Sequence, residues 1–233
     1  MLTVAIPTMD RWPFLKDQLP KYLANPKITC VLVSDENGND LASICEEGYD
    51  LNPKLRLYQN DSVLGVYGNK RQCFLKAPTE WVAVLDSDNI FEDDFFDAFF
   101  LQPHNSKRIY CAGLNERHDL ETGLTENRTK HFSGSSISKD NWNKVLLTEG
   151  WNFLLNDGNA IWPKAVVEHF PDIDEKDIVG TDSIFFMRQA IMAGYTLQVE
   201  PTMHYVHTVH KGSHWLQTSV ESSRLLAMRD WKI

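Results

Sequence analysis

The first hundred residues alternate short apolar runs with stretches whose apolar positions recur at helical spacing. Leu2-Thr3-Val4-Ala5-Ile6 reads as a strand closed by Pro7. Asp10 is placed to cap a helix that carries Trp12, Leu15, Leu19, Tyr22 and Leu23 on one face, and Pro20 is expected to bend or shorten it. Ile28 to Val33 reads as a second strand, stopped by the turn-rich Asp35-Glu36-Asn37-Gly38-Asn39. Leu55 to Tyr58 reads as a third strand, Val66 to Lys76 as a helix, and Trp81 to Leu85 as a fourth strand. Strands separated by single helices predict an α/β fold with a parallel sheet and right-handed crossovers. Ligands on such sheets bind beyond the carboxyl ends of the strands. Pro7-Thr8, Asp35 and Asp86 all fall there, so one cleft is expected to collect them.

The second half is less regular. Phe91 to Phe100 reads as a helix and Arg108 to Ala112 as a strand. The polar stretch from Asn115 to Gly150 reads as a mobile loop or a small subdomain. Helices are expected near Pro163 to Phe170 and from Asp182 to Ala193, the latter ended by Gly194. A strand from Thr196 to Glu200 then leads into the His-rich Met203 to His214. No repeat, low-complexity tract or linker interrupts residues 1–233, which therefore read as one domain.

Composition narrows the function classes. A chain of 233 residues suits one well-filled core. A formal net charge of −9 makes a poor binder of nucleic-acid backbone, yet suits a site for a divalent cation. Cys30, Cys45, Cys73 and Cys111 are widely spaced and form no CxxC pair, which argues against a zinc site or a disulfide framework. No apolar stretch reaches the ~18–20 residues that span a bilayer. The N-terminus also carries no leader signature, so a cytoplasmic location with no membrane span is expected, or else the soluble part of something larger.

The most informative stretch is Val82-Ala83-Val84-Leu85-Asp86-Ser87-Asp88-Asn89. A strand delivers two carboxylates, one residue apart, into the loop at its end. Two hard oxygen ligands suit Mg²⁺ or Mn²⁺, whose other positions phosphate oxygens and water can fill. The competing reading is a helix cap, with Asp88 or Asn89 capping the helix over Phe91 to Phe100.

In order with its neighbours, this stretch resembles glycosyltransferase family 2, whose fold is GT-A. The resemblance runs from residue 3 to about 100 and returns from about 156 to 210. Thr3-Val4-Ala5-Ile6-Pro7-Thr8-Met9-Asp10-Arg11 is similar to the family's opening strand and Pro-Thr turn. Val31 to Gly38 is similar to its second strand and acidic turn, Gly65 to Arg71 to its Gly followed by Ala-Arg-Asn, and Glu80 to Asp88 to its Asp-x-Asp strand. The resemblance implies a Rossmann-like, mostly parallel sheet flanked by helices. It also implies a nucleotide-sugar half over residues 1–100 and an acceptor-side half over 101–233.

It implies roles as well. Pro7, Thr8 and Asp35 would hold nucleobase and ribose, with Asp10, Arg11 and Ser87 as further donor contacts. Lys70, standing where the family has Arg, would meet the base or a phosphate as a point charge. Asp86 would face ribose or sugar hydroxyls and Asp88 would bind the metal, Mn²⁺ or Mg²⁺. In Gly180-Thr181-Asp182 the family's Glu-Asp pair becomes Thr-Asp, and Asp182 takes the place of the catalytic base. Thr181 or Asp182 as a helix N-cap is the plain alternative. A C-terminal His, His207 or His210, would add to the metal; three residues apart, they cannot share a face of one strand unless the strand ends between them. Gly158 and Asn159 would lie beside the transferred sugar, and Trp151, Trp162 and Trp215 would stack on a sugar or pack.

The expectation is an inverting transferase moving a sugar from a nucleotide-diphosphate donor, UDP first, to a glycan or other hydroxyl acceptor. Zinc hydrolysis lacks a His-Glu-x-x-His helix. Sugar-phosphate nucleotidyl transfer lacks a Gly-rich N-terminal loop. A non-catalytic nucleotide-sugar or glycan binding module stays open through Thr181.

Overall fold

The structure is a computed structural model that describes residues 1–156, 158, 160–228 and 231–233, with backbone alone at 175, 214, 215 and 228. The chain forms two compact units: residues 1–90 with 161–167, and residues 91–160 with 168–233.

In the first unit the elements are β1 (Leu2–Thr8), α1 (Trp12–Ala24), β2 (Cys30–Asp35), α2 (Asn39–Glu46), β3 (Leu55–Gln59), α3 (Gly65–Lys76) and β4 (Trp81–Val84). The strands run parallel in the order β3-β2-β1-β4. Every residue of β1, β2 and β4 is buried, as expected for strands covered on both faces.

The expected closure of the first strand at Pro7 is not what forms: β1 continues to Thr8. The Ala5 carbonyl points toward β4, where it accepts Leu85 N–H at 2.9 Å. Pro7, two residues on, points the same way but beyond the end of β4, so its missing N–H leaves no ladder bond unmade. Pro20 lies inside α1, which nonetheless runs to Ala24. Burial of Leu15, Leu19, Tyr22 and Leu23 offsets the lost bond. Asp10 does not cap α1: its backbone takes the left-handed conformation, φ 57°, and Asp40 supplies the cap. The turn-rich segment after β2 leads straight into α2, whose first N–H groups, those of Asp40 and Leu41, are accepted by Asp35 at 3.0 and 3.1 Å.

Beyond β5 (Ile90–Phe91), the second unit holds α4 (Asp93–Phe100), β6 (Arg108–Asp119), β7 (Thr125–Glu126), β8 (Ser136–Ile137), α5 (Trp142–Val145) and α6 (Trp151–Asn156). The chain passes through β9 (Ala160–Pro163), whose last three residues pair antiparallel with β4, and a 3-10 turn over Lys164–His169. It then forms α7 (Asp182–Met192), β10 (Thr196–Val209), α8 (His214–Gln217) and α9 (Ser219–Met228). β6 and β10 are parallel and much longer than their apolar starts suggest. Their register shifts between Glu200 and His204. Gly113 stands at that shift, where a Cβ would lie 2.6 Å from the Glu200 carbonyl oxygen. The first residues of the expected 115–150 loop complete β6, and β7, β8 and α5 are short elements within the rest.

Acidic residues in the first turn of α4 complement its dipole, while Phe95, Phe96 and Phe99 face inward. Phe91 stacks on Phe95 at 3.9 Å and meets Tyr205 of β10 at 5.7 Å. Trp142 is fully buried and donates its Nε1–H to the Trp231 carbonyl at 2.8 Å. Among the described residues no helix is long and apolar enough to cross a membrane.

Candidate functional site

Thr8 and Asp35 are register partners at the carboxyl ends of adjacent parallel strands. Asp35 is fully buried, and its carboxylate accepts three backbone N–H groups, from Asn37, Asp40 and Leu41. It therefore shapes the turn and caps α2. Asp40, also buried, takes the Thr8 hydroxyl and the N–H groups of Arg11 and Trp12, the latter at 2.8 Å. Asp10 reaches the other way, accepting from the side chains of Asn37 at 3.0 Å and Asn39 at 2.7 Å. The Asn39 hydrogen bond, then that of Asn37, holds the Asp10 carboxyl below the usual range. Two aspartates thus tie the loop after β1 to the loop after β2. Asp40 was not among the expected site residues; its signal is a carboxylate directly after the segment read as a turn.

A second buried network anchors α3. Glu36 accepts the Leu64 N–H at 2.8 Å and the Asn60 side chain at 3.4 Å. Burial pushes its carboxyl above the usual range, against the lowering effect of those bonds. Asn69 of α3 donates to the Ser34 carbonyl at 3.0 Å and accepts from Asn60 at 3.1 Å. One residue on, buried Lys70 pairs with Asp86 just beyond β4. Ser87 is buried beside it in sequence, and Asp88 is partly exposed in a turn closed by the Asn89 N–H on the Asp86 carbonyl at 2.9 Å. Neither Asp88 nor Asn89 caps the next helix, because α4 starts at Asp93 with Glu92 at its N-cap.

In the second unit, Asp182 is buried in the first turn of α7. Thr181 occupies the N-cap position, but its hydroxyl donates back to the Ile178 carbonyl at 3.0 Å and no side-chain cap forms. The approach to Asp182 is pinned from two sides: Asn156 Nδ2 donates to the Gly180 carbonyl at 2.9 Å, and Ser222 Oγ to the Val179 carbonyl at 3.1 Å. Gly180 has φ 64°, and a Cβ there would collide with Ser222 Oγ. Gly158 also has positive φ, 65°. Asn159 lies outside the described residues, as does the side chain of Trp215.

β10 ends at Val209, between the two histidines. His210 Nδ1 accepts the Gly212 N–H at 3.1 Å, so a neutral imidazole there carries its proton on Nε2. His207 Nδ1 is buried and has no hydrogen-bond partner among the described residues. No three His, Cys, Asp or Glu side chains form a metal-binding group among the described residues.

The decisive comparison is with protein families: the model for "Glycosyl transferase family 2" matches residues 3–158. The chain belongs to glycosyl transferase family 2. The match takes in every donor-side position from Pro7 to Gly158, while Asn159, Asp182, His207 and His210 lie beyond it. The fold is the GT-A fold of glycosyltransferases. TarS of S. aureus, residues 1–349 in complex with UDP-GlcNAc, superposes with a TM-score of 0.68 at 18% identity, over 97% of this chain and 65% of that one. The same TarS region in complex with UDP gives 0.66 at 20%, over 97% and 64%. A longer TarS structure gives 0.66 at 18%, with 39% of that chain covered. This chain thus spans less than two thirds of the length of these structures. A search of curated proteins finds no match.

Proposed function

We propose that this family 2 chain transfers a sugar from a UDP-sugar to an acceptor hydroxyl, with inversion and with help from Mn²⁺ or Mg²⁺. The observation that carries the reading is the family match, which spans the strand-end residues assigned to the donor. The TarS structures hold UDP-GlcNAc and UDP, which favours uridine nucleotides here as well.

On this reading Pro7, Thr8, Asp10, Arg11 and Asp35 form the nucleoside-facing loops, with Asp10 and Asp35 acting by holding those loops in shape. Lys70 positions the Asp86 carboxylate, and Asp86 and Ser87 face ribose or sugar hydroxyls. Gly158 and Asn159 adjoin the transferred sugar. The cation's donor set fits in part: Asp88 is a hard oxygen ligand in a strand-end turn, and a nucleotide-bound cation draws its remaining ligands from phosphate and water. Of the two imidazoles we favour His207 as the ligand, because its buried Nδ1 has no hydrogen-bond partner among the described residues, whereas His210 Nδ1 accepts the Gly212 N–H. Held there, such a cation would supply positive charge against the departing diphosphate.

Asp182 takes the proton of the acceptor hydroxyl. That oxygen forms the new bond to the anomeric carbon, the bond from that carbon to the diphosphate oxygen breaks, and UDP leaves.

The test is calorimetric titration with UDP, GDP, dTDP and CMP, with and without Mn²⁺, on wild type and Asp88→Ala. Metal-dependent UDP binding that loses its metal dependence in the variant is expected. Binding of none of these nucleotides would sink the proposal.

A further inference from the structure

The inward face of α3 changes character along its length. Cys73 and Phe74 are apolar core, but Asn69 and Lys70, one turn earlier, are polar and also buried. An amide buried in place of an aliphatic side chain costs stability unless its polar atoms are partnered. Asn69 is partnered at both ends. Its Nδ2 donates to the Ser34 carbonyl at 3.0 Å and reaches the Thr8 carbonyl at 3.5 Å, while its Oδ1 accepts Asn60 Nδ2 at 3.1 Å. The two carbonyls stand at the carboxyl ends of β1 and β2, whose loops carry the nucleoside-facing residues.

The network reaches further. The Thr8 carbonyl also takes the Glu36 N–H at 3.1 Å, and the Asp35 carbonyl takes the Asn60 N–H at 2.9 Å. The Glu36 carboxylate accepts the N–H of Leu64, the N-cap residue of α3, so this helix is capped from the loop after β2. Asn60 and Asn69 thus join the ends of β1, β2 and β3 to the first turns of α3. Lys70 is the next residue, turned about 100° round the helix axis. It pairs with Asp86, just beyond β4. Two adjacent residues of one helical turn therefore face the two flanks of the proposed donor site.

We infer that Asn69 is a positioning residue for the donor, fixing the distance between the nucleoside-facing loops and the Asp86 turn. It acts through the Thr8 and Ser34 carbonyls on one side and through the backbone of Lys70 on the other, without touching the donor. Such a residue matters most for a ligand that bridges both flanks. UDP reaches from the nucleoside loops to the turn beyond β4, and uridine lacks the diphosphate for that reach. The inference rests on the proposed reading of the donor site.

The test is titration of the whole chain in Mn²⁺, with UDP by calorimetry and with uridine by ligand-observed NMR, which registers weak binding. The proteins are wild type, Asn69→Ala, Asn60→Ala, the double variant and Ile28→Ala. Ile28 is buried ahead of β2, at the opposite end of the sheet, so its truncation lowers stability without touching the network. Asn69→Ala is expected to bind UDP about tenfold more weakly, the net weight of one or two hydrogen bonds, and uridine at most about twofold more weakly. Asn60→Ala shifts the same way by less, and the double variant binds UDP no worse than Asn69→Ala, because the two amides act as one unit. Ile28→Ala binds both ligands as the wild type does. Equal weakening of UDP and uridine in Asn69→Ala would mark a general loosening and overturn the inference. UDP binding at wild-type strength in Asn69→Ala would overturn it too, with the transferase reading left standing. Should Asn69→Ala fail to fold, Asn60→Ala carries the same comparison of UDP with uridine. A wild type that binds neither ligand sinks the transferase reading, and the inference with it.

Discussion

The ammonium of Lys70 lies 2.9 and 3.1 Å from the two carboxylate oxygens of Asp86. The two partners are unequally buried, with the lysine side chain 6% exposed and the aspartate 30%. Losing one member of a buried pair leaves the other's charge uncompensated, which costs about 3–5 kcal/mol when that charge is fully buried. Asp86→Asn takes this partner from the deeper charge and is expected to be the costlier change, about 3 kcal/mol. Lys70→Met takes it from the more exposed one and is expected to cost about 2 kcal/mol. Urea unfolding of both variants checks the order; equal losses would mean that burial does not set it.

Asp40 offers a sharper test of how the donor loops are built. Its carboxylate takes the Thr8 hydroxyl and two backbone N–H groups at the start of α1. Hydrogen bonds to a charged group are worth about 1.5–3 kcal/mol, and loss of a cap about 1 kcal/mol. Asp40→Ala is therefore expected to cost about 3–4 kcal/mol and to weaken UDP binding. Thr8→Val removes one of the bonds and should cost about 1.5 kcal/mol. Unfolding midpoints and UDP titration of the two variants decide whether the loop is held through Asp40.

The parallel strands and α1 were legible because apolar positions fixed them. The later parts of β6 and β10 were not, because Asn115, Glu116, His204 and His207 stand where a core strand would carry Val or Ile. The start of α2 was hidden for a related reason. Its capping comes from Asp35 rather than from a residue next to the helix, and Asn37-Gly38-Asn39 reads locally as a stop. At the site, residue types were readable but partnerships were not. Asp86 and Lys70 are 16 residues apart in sequence and meet only through the fold. The competing cap readings of Asp88 and Asp182 needed coordinates, since they turned on where α4 begins and where the Thr181 hydroxyl points.

Glu36 carries a pH signature of its own. Its carboxyl is raised above its ordinary value of 4.5, chiefly by burial. A raised carboxyl favours the protonated fold, so its stabilising contribution is complete below 4.5 and is lost as pH rises through the higher folded value. Glu36→Gln keeps an oxygen for the Leu64 N–H and removes the titration. The variant is expected to gain on wild type as pH rises above 4.5, and the gain to level off once the wild-type carboxyl is ionised. Urea midpoints from about pH 4 to about pH 8 follow the difference; a gap that does not change with pH would show that Glu36 does not titrate in the fold.

Asp182 is the residue on which the chemistry turns, and its position depends on the bend before it. Asp182→Asn keeps size and helix start but removes the proton acceptor. Positioned general bases contribute about 10²- to 10⁴-fold, so kcat should fall by that order while the affinity for UDP holds. Gly180→Ala leaves the carboxylate in place and disturbs its support. The alanine meets a left-handed backbone and the Ser222 hydroxyl, at a cost of about 1–3 kcal/mol. Its kcat should drop less than that of Asp182→Asn, with the KM for the UDP-sugar unchanged, and Ser222→Gly alongside it should restore part of the loss by clearing the collision. Initial rates of UDP release across a donor series separate these outcomes. If Asp182→Asn turns over like wild type, the carboxylate is a helix-terminal anion and the base lies elsewhere. If Gly180→Ala raises KM instead, the bend serves donor binding and not the proton transfer.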